Sequence, residues 1–170
     1  MKRDYLNVSS RVKRLTRDIY AQPPDAGHSA WALNAVEWIA STIYVEKKPG
    51  KYEGKVLDVG CGHAFMCPVF EALGLEWTGV TIGEDFRQAQ ANMEIWNKSI
   101  SSVQESDMTF LPFEDERFDL IFARHVLEHS PFPVITLMEW RRVVKDDGYL
   151  CLVAPAPHWW TSRGRNHYSI

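Results

Sequence analysis

The stretch that decides the fold is Val56-Leu57-Asp58-Val59-Gly60-Cys61-Gly62-His63-Ala64. Its first half belongs to an apolar, β-branched run over Lys55–Val59, which predicts a buried strand. The two glycines that follow predict a tight turn, because glycine tolerates backbone conformations that other residues avoid. A helix is predicted next, over about Phe65–Leu73, with Pro68 in its first turn. This order of strand, glycine-rich turn and helix is typical of the first unit of a parallel α/β sheet.

The chain beyond this unit continues to alternate between strands and helices. The predicted strands are Lys55–Val59, Glu76–Ile82, Ser101–Glu105, Phe118–Ala123 and Tyr149–Ala154, and the later helices are Glu84–Asn97 and Pro131–Lys145. Asp147-Gly148 is predicted to turn the chain into the last of these strands. We therefore expect an α/β fold, a doubly wound, Rossmann-like parallel sheet of about five strands with helices on both faces.

Three segments are expected within a single domain. Residues 1–48 form an N-terminal helical segment, with amphipathic helices predicted over residues 9–20 and Ser29–Val45. Residues 49–157 form the Rossmann-like domain. Residues 158–170 form an aromatic and basic tail, which is either a lid over a substrate or a terminus that is disordered or partly docked.

Composition narrows the class of protein. The 170 residues carry a formal net charge of −3, so a dedicated nucleic-acid-binding surface is not expected. Three cysteines without a CxxC pair argue against a disulfide framework and a structural zinc site. No secretory signal and no stretch long and apolar enough to span a membrane stand out, so we expect a cytoplasmic protein.

The glycine turn is the first candidate ligand site. Gly60 and Gly62 let the backbone approach a ligand closely, and the next helix directs unpaired N–H groups toward it. A dinucleotide site would need a third small residue where Phe65 stands, which disfavours an NAD-dependent oxidoreductase and leaves room for another nucleoside ligand. Asp58 ends a buried strand, where an acid needs a partner. It is either a ligand contact or an anchor for the loop.

Five segments, taken in order and spacing, resemble the class I S-adenosylmethionine-dependent methyltransferases, especially their small-molecule branch. The matching segments are Val56–Gly62, Ser106–Met108 with Leu111–Phe113, Phe118–Ile121, Val126–His129 and Asp147–Leu150. The resemblance covers about residues 50–155. It implies S-adenosyl-L-methionine as cofactor and a small or medium molecule as methyl acceptor.

The resemblance also implies which residues hold the cofactor. They are Asp58, Gly60 and Gly62 at the methionine end, Thr81 and Asp85 at the ribose, Asp107 and Met108 at the adenine, and Arg124 at the rim. Thr81 stands where most of the family has an acid, as it does in the cyclopropane-fatty-acid-synthase-like branch. Asp85 or Glu84 can reach the ribose hydroxyls from the next helix, but first-turn acids serve equally well as partners of the helix dipole.

Two histidines follow the fourth strand and are the candidate catalytic residues. By the resemblance, His125 contacts cofactor or substrate, and His129 lies about one turn further on. His129 is either a general base, for which the usual pKa of histidine near neutrality is suited, or a residue that only shapes the rim. Many methyl transfers need no base, because the sulfonium is already activated. No metal-ligating pattern is expected among the scattered histidines.

The family continues with further strands after the point where this sequence stops. We therefore expect either a fragment of a longer protein or a fifth strand whose edge is covered in another way, since an uncovered apolar edge invites pairing. Formation of a homodimer through that edge or through the tail is one way to cover it. The alternative to an active enzyme is a cofactor-binding but catalytically incomplete module that acts through a partner.

Overall fold

The computed structural model describes residues 10–20, 29–46 and 54–154. The helices are α1 (Ser10–Ile19), α2 (Ser29–Glu46), α3 (Cys67–Ala72), α4 (Gly83–Ile95) and α5 (Pro133–Val143). The strands are β1 (Gly54–Val59), β2 (Leu75–Thr81), β3 (Val103–Glu105), β4 (Phe118–Arg124) and β5 (Val144–Val153). Short 3-10 helices cover Ile100–Ser102 and Leu127–His129. The predicted tail, residues 158–170, lies outside the described residues.

The strands form one five-stranded sheet in the order β3-β2-β1-β4-β5. Strand β1 pairs with β4, β2 with β3, and β4 with β5, all in parallel. The predicted doubly wound, Rossmann-like sheet is therefore confirmed. The strand order reverses between β1 and β4. In such sheets the ligand crevice opens at the carboxyl ends of the strands beside this reversal.

The chain divides into two compact units, and the first comprises residues 1–54 and 65–77. Val12, Thr16 and Tyr20 are its buried residues from α1 and the turn that follows. The Thr16 hydroxyl donates a hydrogen bond to the Val12 carbonyl at 2.8 Å. The Tyr20 ring packs edge-on against Phe65, with 6.2 Å between ring centroids. Val12, Thr16 and Tyr20 are spaced four apart and so form one buried stripe along the helix.

The second unit comprises residues 55–64 and 78–170. Its core is formed by apolar side chains from the central strands and α5, chiefly Leu57, Val59, Ile121, Ala123 and Trp140. Helix α4 contacts β3 and helix α5 contacts β5. No helix among the described residues is long and apolar enough to cross a membrane.

The last strand begins earlier than the sequence predicts. Strand β5 starts at Val144, and Asp147-Gly148 lies inside it rather than before it. Val144 pairs with Phe118 and Tyr149 with Leu120, so the four residues 145–148 of β5 lie opposite the single residue Asp119 of β4 and form a bulge. The bulge is held by Lys145, whose Nζ lies 2.9 Å from Asp119 Oδ1. Glycine is common in bulges as well as in turns, so Asp147-Gly148 was predicted as a turn before the strand although it lies in a bulge within it.

Other boundaries differ from the prediction by one or two residues, and two of them have a clear local cause. Helix α5 begins at Pro133 rather than Pro131, because the Ser130 hydroxyl accepts a hydrogen bond from the Phe132 N–H at 3.1 Å and holds a turn before the helix. Strand β3 begins at Val103 rather than Ser101, since the preceding residues form a 3-10 turn.

Candidate active site

A cavity of about 310 Å³ opens at the carboxyl ends of the strands in the second unit. This volume is near the lower end of the range for small-molecule sites, roughly 300–1,000 Å³. The residues that line it are Gly60, Val80, Thr81, Ile82, Asp85, Ser106, Asp107, Met108, His125, Val126 and His129. They come from the glycine turn, the end of β2, the start of α4, the loop after β3 and the turn after β4.

The glycine turn forms one wall, and its two glycines are needed for different reasons. The Gly60 and Cys61 N–H groups both donate to the Val80 carbonyl, at 2.9 and 3.0 Å. Gly60 has a φ of +68°, and a Cβ added there would lie 2.5 Å from Val126 Cγ2. Gly62 has a φ of +51°, and a Cβ there would meet no atom within 4 Å. Gly60 thus permits tight packing, whereas the space beside Gly62 is open.

The first turn of α4 is tied to the glycine turn. His63 Nε2 lies 3.2 Å from Asp85 Oδ1, and Asn92 Nδ2 donates to the His63 carbonyl at 2.9 Å. Asp85 lines the cavity, but Glu84 pairs with Arg87 at 2.6 Å on the exposed side of the helix. Of the two acids proposed for the ribose, the structure therefore places Asp85 in the cavity. The Asp85 carboxylate is shared with His63, a contact that the sequence did not indicate.

The loop after β3 supplies Asp107 and Met108. Asp107 is exposed, and its Oδ1 accepts a hydrogen bond from the Thr109 N–H at 2.7 Å. The Met108 carbonyl accepts a hydrogen bond from Trp140 Nε1 at 2.9 Å. Asp107 therefore caps its own loop, and its second oxygen remains as an acceptor for a ligand. Met108 is held in place by the buried Trp140 of α5.

Charged groups on α5 hold the far end of this loop. Glu139 Oε1 accepts a hydrogen bond from the Leu111 N–H at 2.8 Å. The Arg142 guanidinium donates to the carbonyls of Leu111 and Phe113, at 3.1 and 2.7 Å. Its hydrogen bond to Glu139 holds the pKa of that carboxyl below its usual value. Because the loop also carries Asp107, these contacts support the cavity wall from outside.

The turn after β4 forms the opposite wall. His125 has a left-handed backbone with φ of +51°, and its N–H donates to the Val153 carbonyl of β5 at 2.8 Å. Its ring Nδ1 lies 3.4 Å from Glu128 Oε1. The Glu128 side chain is only 5% exposed, and neither carboxylate oxygen has a hydrogen-bond partner among the described residues. His129 is exposed at the rim.

Three buried hydroxyl groups connect the two walls. Ser130 Oγ lies 2.7 Å from Thr136 Oγ1, which lies 2.9 Å from Thr109 Oγ1. Ser130 follows the 3-10 helix, Thr136 is on α5, and Thr109 is in the loop that carries Asp107. The three form a continuous hydrogen-bonded chain behind the cavity. Buried polar chains of this kind are favourable because each member has a partner.

The structure brings most of the predicted site residues together. Those at the cavity are Gly60, Thr81, Asp85, Asp107, Met108, His125 and His129. Asp58 is buried within β1, in register with Phe122, and neither it nor Gly62 nor Arg124 lines the cavity. The cavity residues that sequence reasoning missed are Val80, Ile82, Ser106 and Val126. All four are direct sequence neighbours of predicted site residues, which was the available signal.

The strand order and the position of the cavity are those of the class I S-adenosylmethionine-dependent methyltransferase fold. Residues 57–152, more than half of the chain, match the family described as "Methyltransferase domain", and the chain belongs to that family. The resemblance inferred from the five sequence segments is confirmed at the level of family and fold. The cofactor that this membership implies is S-adenosyl-L-methionine.

Individual relatives agree with this assignment. A ubiquinone biosynthesis O-methyltransferase of Glaesserella parasuis is 31% identical over 110 residues, which are 62% of this chain and 47% of the relative. A SAM-dependent methyltransferase from Aquifex aeolicus is 25% identical with a TM-score of 0.52, over 64% of this chain and 60% of that structure. The PH0226 protein from Pyrococcus horikoshii OT3 has a TM-score of 0.62 at 24% identity, over 78% of this chain and 61% of that structure. The chain spans about half the length of the curated relatives it matches.

The donor and acceptor groups at the cavity fit S-adenosylmethionine. The ligand presents ribose hydroxyls and an adenine amino group, both of which donate hydrogen bonds. The cavity offers the carboxylates of Asp85 and Asp107 as acceptors, and Ile82 and Met108 supply apolar contact for a ring. A ligand with mixed polar and apolar parts needs this combination of a few placed polar groups and an apolar lining.

Proposed function

We propose that this chain is the cofactor-binding and catalytic part of a methyltransferase that methylates a hydroxyl group of a small acceptor molecule. The observation that carries the proposal is that two acidic acceptors, Asp85 and Asp107, line the same cavity as His125. Membership of the methyltransferase-domain family supports it. The choice of a hydroxyl acceptor is supported by the O-methyltransferase name of a 31% identical relative.

Each group at the cavity has a role in this mechanism. Asp85 accepts hydrogen bonds from the ribose hydroxyls and Asp107 from the adenine amino group, while Met108 packs beside the ring. When bound, the cofactor supplies a methyl group already activated on a sulfonium. The protein then contributes mainly by alignment, which fixes the acceptor in line with the methyl group. His125 accepts the proton that the acceptor hydroxyl loses, and His129 shapes the rim from its exposed position.

A second candidate is a cofactor-binding module that is catalytically incomplete and acts with a partner. A homodimer through the β5 edge would supply such a partner, and the exposed Leu150 and Leu152 support it. A cytoplasmic location belongs to both proposals. It is supported by Cys61, Cys67 and Cys151, which form no disulfide, since disulfides are rare in reducing compartments.

Two measurements test these candidates: the first tests cofactor binding, which both require, and the second separates them. S-adenosylhomocysteine at about 100 times its Kd adds about 2.7 kcal/mol of stability, and we expect it to raise the melting temperature by roughly 5–10 °C. A shift with NADH instead would contradict the family assignment of the cavity. The chain is then incubated with S-adenosylmethionine and a panel of phenols, catechols, alcohols and amines, and products are read by mass spectrometry. Methylation of a hydroxyl supports the enzyme, whereas binding without any product supports the incomplete module.

A further inference from the structure

Glu128 is a buried carboxylate that the fold itself does not account for. Its side chain is 5% exposed, and both of its oxygens lack a hydrogen-bond partner among the described residues. Burying a carboxylate without hydrogen bonds is unfavourable, so nearly all buried acids in proteins are paired. An isosteric amide or an apolar residue would fill the same space at a lower cost. A stability argument therefore gives no reason for an acid at this position.

The nearest described charged partner of Glu128 is the candidate base. Glu128 Oε1 lies 3.4 Å from His125 Nδ1, within ion-pair range but without hydrogen-bond geometry. Contacts between catalytic groups are often long in ligand-free structures and shorten when substrate binds. His125 also has an unfavourable left-handed backbone, and its N–H is anchored on the Val153 carbonyl. Strained residues of this kind cluster at active sites, where the surroundings enforce a functional geometry.

We propose that Glu128 is a positioning residue for His125, which rests on the methyltransferase function proposed above. The carboxylate beside Nδ1 favours the tautomer that carries its proton on Nδ1, so that Nε2 becomes the proton-accepting nitrogen. The same carboxylate stabilises the imidazolium that forms during the reaction. Glu128 does not line the cavity and acts on the substrate only through the His125 ring.

The proton and electron balance of the step is simple. As the acceptor oxygen forms its bond to the methyl carbon, its O–H bond breaks and the proton moves to His125 Nε2. The electron pair of the breaking carbon–sulfur bond remains on sulfur, which becomes a neutral thioether. The resulting imidazolium faces the Glu128 carboxylate and later loses its proton to water. The step needs no oxidant, reductant or further co-reactant.

Because other charged groups lie near His125, the experiment needs a measurement that reports on the His125 ring directly. Asp85, Asp107 and His129 line the same cavity, and Arg124 precedes His125 in the chain. A change in turnover alone would not separate their effects from that of Glu128. The ¹⁵N chemical shifts of the imidazole identify which nitrogen carries the proton, and the His125 signals are assigned by their loss in His125→Gln.

The experiment compares Glu128→Gln with the wild type and with Glu114→Gln, which makes the same change at an exposed site. In Glu128→Gln we expect the His125 ring to lose its preference for the Nδ1–H tautomer. S-adenosylhomocysteine affinity, measured by calorimetry, should stay within about twofold, because neither Glu128 nor its amide touches that ligand. The melting temperature should not fall, because a buried carboxylate without hydrogen bonds has been removed. Glu114→Gln should match the wild type throughout.

The test is completed by measuring kcat and KM for an acceptor identified in the panel of phenols, catechols, alcohols and amines. We expect kcat of Glu128→Gln to fall roughly tenfold or more while KM changes little, as for loss of an oriented general base. An unchanged tautomer in Glu128→Gln, or a melting temperature that falls together with cofactor affinity, would overturn the positioning role and leave a structural one. If the wild type methylates no acceptor, the proposed function fails, and the ring shifts still decide whether Glu128 orients His125.

Discussion

At the scale of single residues, Asp107 combines a contact within its own loop with a place at the cavity. Asp107→Asn keeps an oxygen that can accept the Thr109 N–H but replaces the other oxygen with an amide that donates. We expect S-adenosylhomocysteine affinity to fall about tenfold, because an adenine donor loses its acceptor. The melting temperature without ligand should change little.

Asp107→Ala is the matched variant for this prediction. It removes the contact to Thr109 as well, so both affinity and melting temperature should decrease. Calorimetry on the two variants separates recognition from loop capping. Equal affinities for wild type and Asp107→Asn would remove this side chain from adenine recognition.

Gly60 and Gly62 differ in a way that single substitutions reveal. Gly60→Ala places a methyl group 2.5 Å from Val126 Cγ2 and should cost about 1–3 kcal/mol through overpacking, in addition to its backbone strain. Gly62→Ala meets no neighbour, so only the strain remains. Urea denaturation should therefore rank Gly60→Ala as the less stable variant. Adding Val126→Ala should recover part of the loss for Gly60→Ala and none for Gly62→Ala.

At the scale of elements, α5 holds the loop that follows β3 through Arg142. Its guanidinium bonds Glu139, Asp115 and two backbone carbonyls, whereas the neighbouring Arg141 is 61% exposed on the same helix. We expect Arg142→Gln to destabilise the fold by about 1–3 kcal/mol, since buried acceptors lose their donor. Arg141→Gln should cost no more than about 1 kcal/mol. Equal losses from the two variants would mean that the loop contacts add no stability.

The Glu139–Arg142 pair also predicts a dependence of stability on pH. Arg142 lowers the pKa of Glu139 from its usual value of 4.5, so the unfolded chain binds a proton more readily than the folded one. The stabilisation is therefore present above pH 4.5 and is lost as pH falls through the lowered pKa. The stability difference between wild type and Glu139→Gln should shrink on acidification. A difference that is constant or grows toward low pH would contradict this assignment.

The regular part of the fold was predictable because local patterns determine it. The apolar run ending at Val59 and the glycine turn predicted β1 as a buried strand, and the structure places it at the centre of the sheet. The bulge at Gly148 was not predictable, because a glycine beside an aspartate signals a turn and a bulge alike. The pairs His63–Asp85 and His125–Glu128 were also missed, since they depend on side-chain directions that spacing does not encode.

At the scale of the whole molecule, the edge strand predicts self-association. Leu150 and Leu152 on β5 are 41% and 39% exposed, and an apolar edge strand is a template for pairing with a second chain. We expect the intact chain to form a dimer whose population rises with concentration in light-scattering measurements. Leu152→Lys should shift the equilibrium toward the monomer. Because the Leu152 side chain is exposed, the new lysine need not be buried.

Ile95→Lys is the control for this prediction, since Ile95 is a 72% exposed apolar residue on α4. It should leave the dimer unchanged. A monomer at every concentration for the intact chain would show that its β5 edge is covered within the chain. Deletion of residues 158–170 then tests whether the tail provides that cover, because the uncovered edge would aggregate.

The hydroxyl chain of Ser130, Thr136 and Thr109 sets the distance between the two walls of the cavity before any ligand arrives. Phe132 donates its N–H to Ser130, so the hydroxyl protons can run in one direction, from Ser130 through Thr136 to Thr109. The adenine side and the histidine side are thereby parts of one preorganised frame. A ligand that enters such a frame orders little protein on binding, and more of its contact energy appears as affinity.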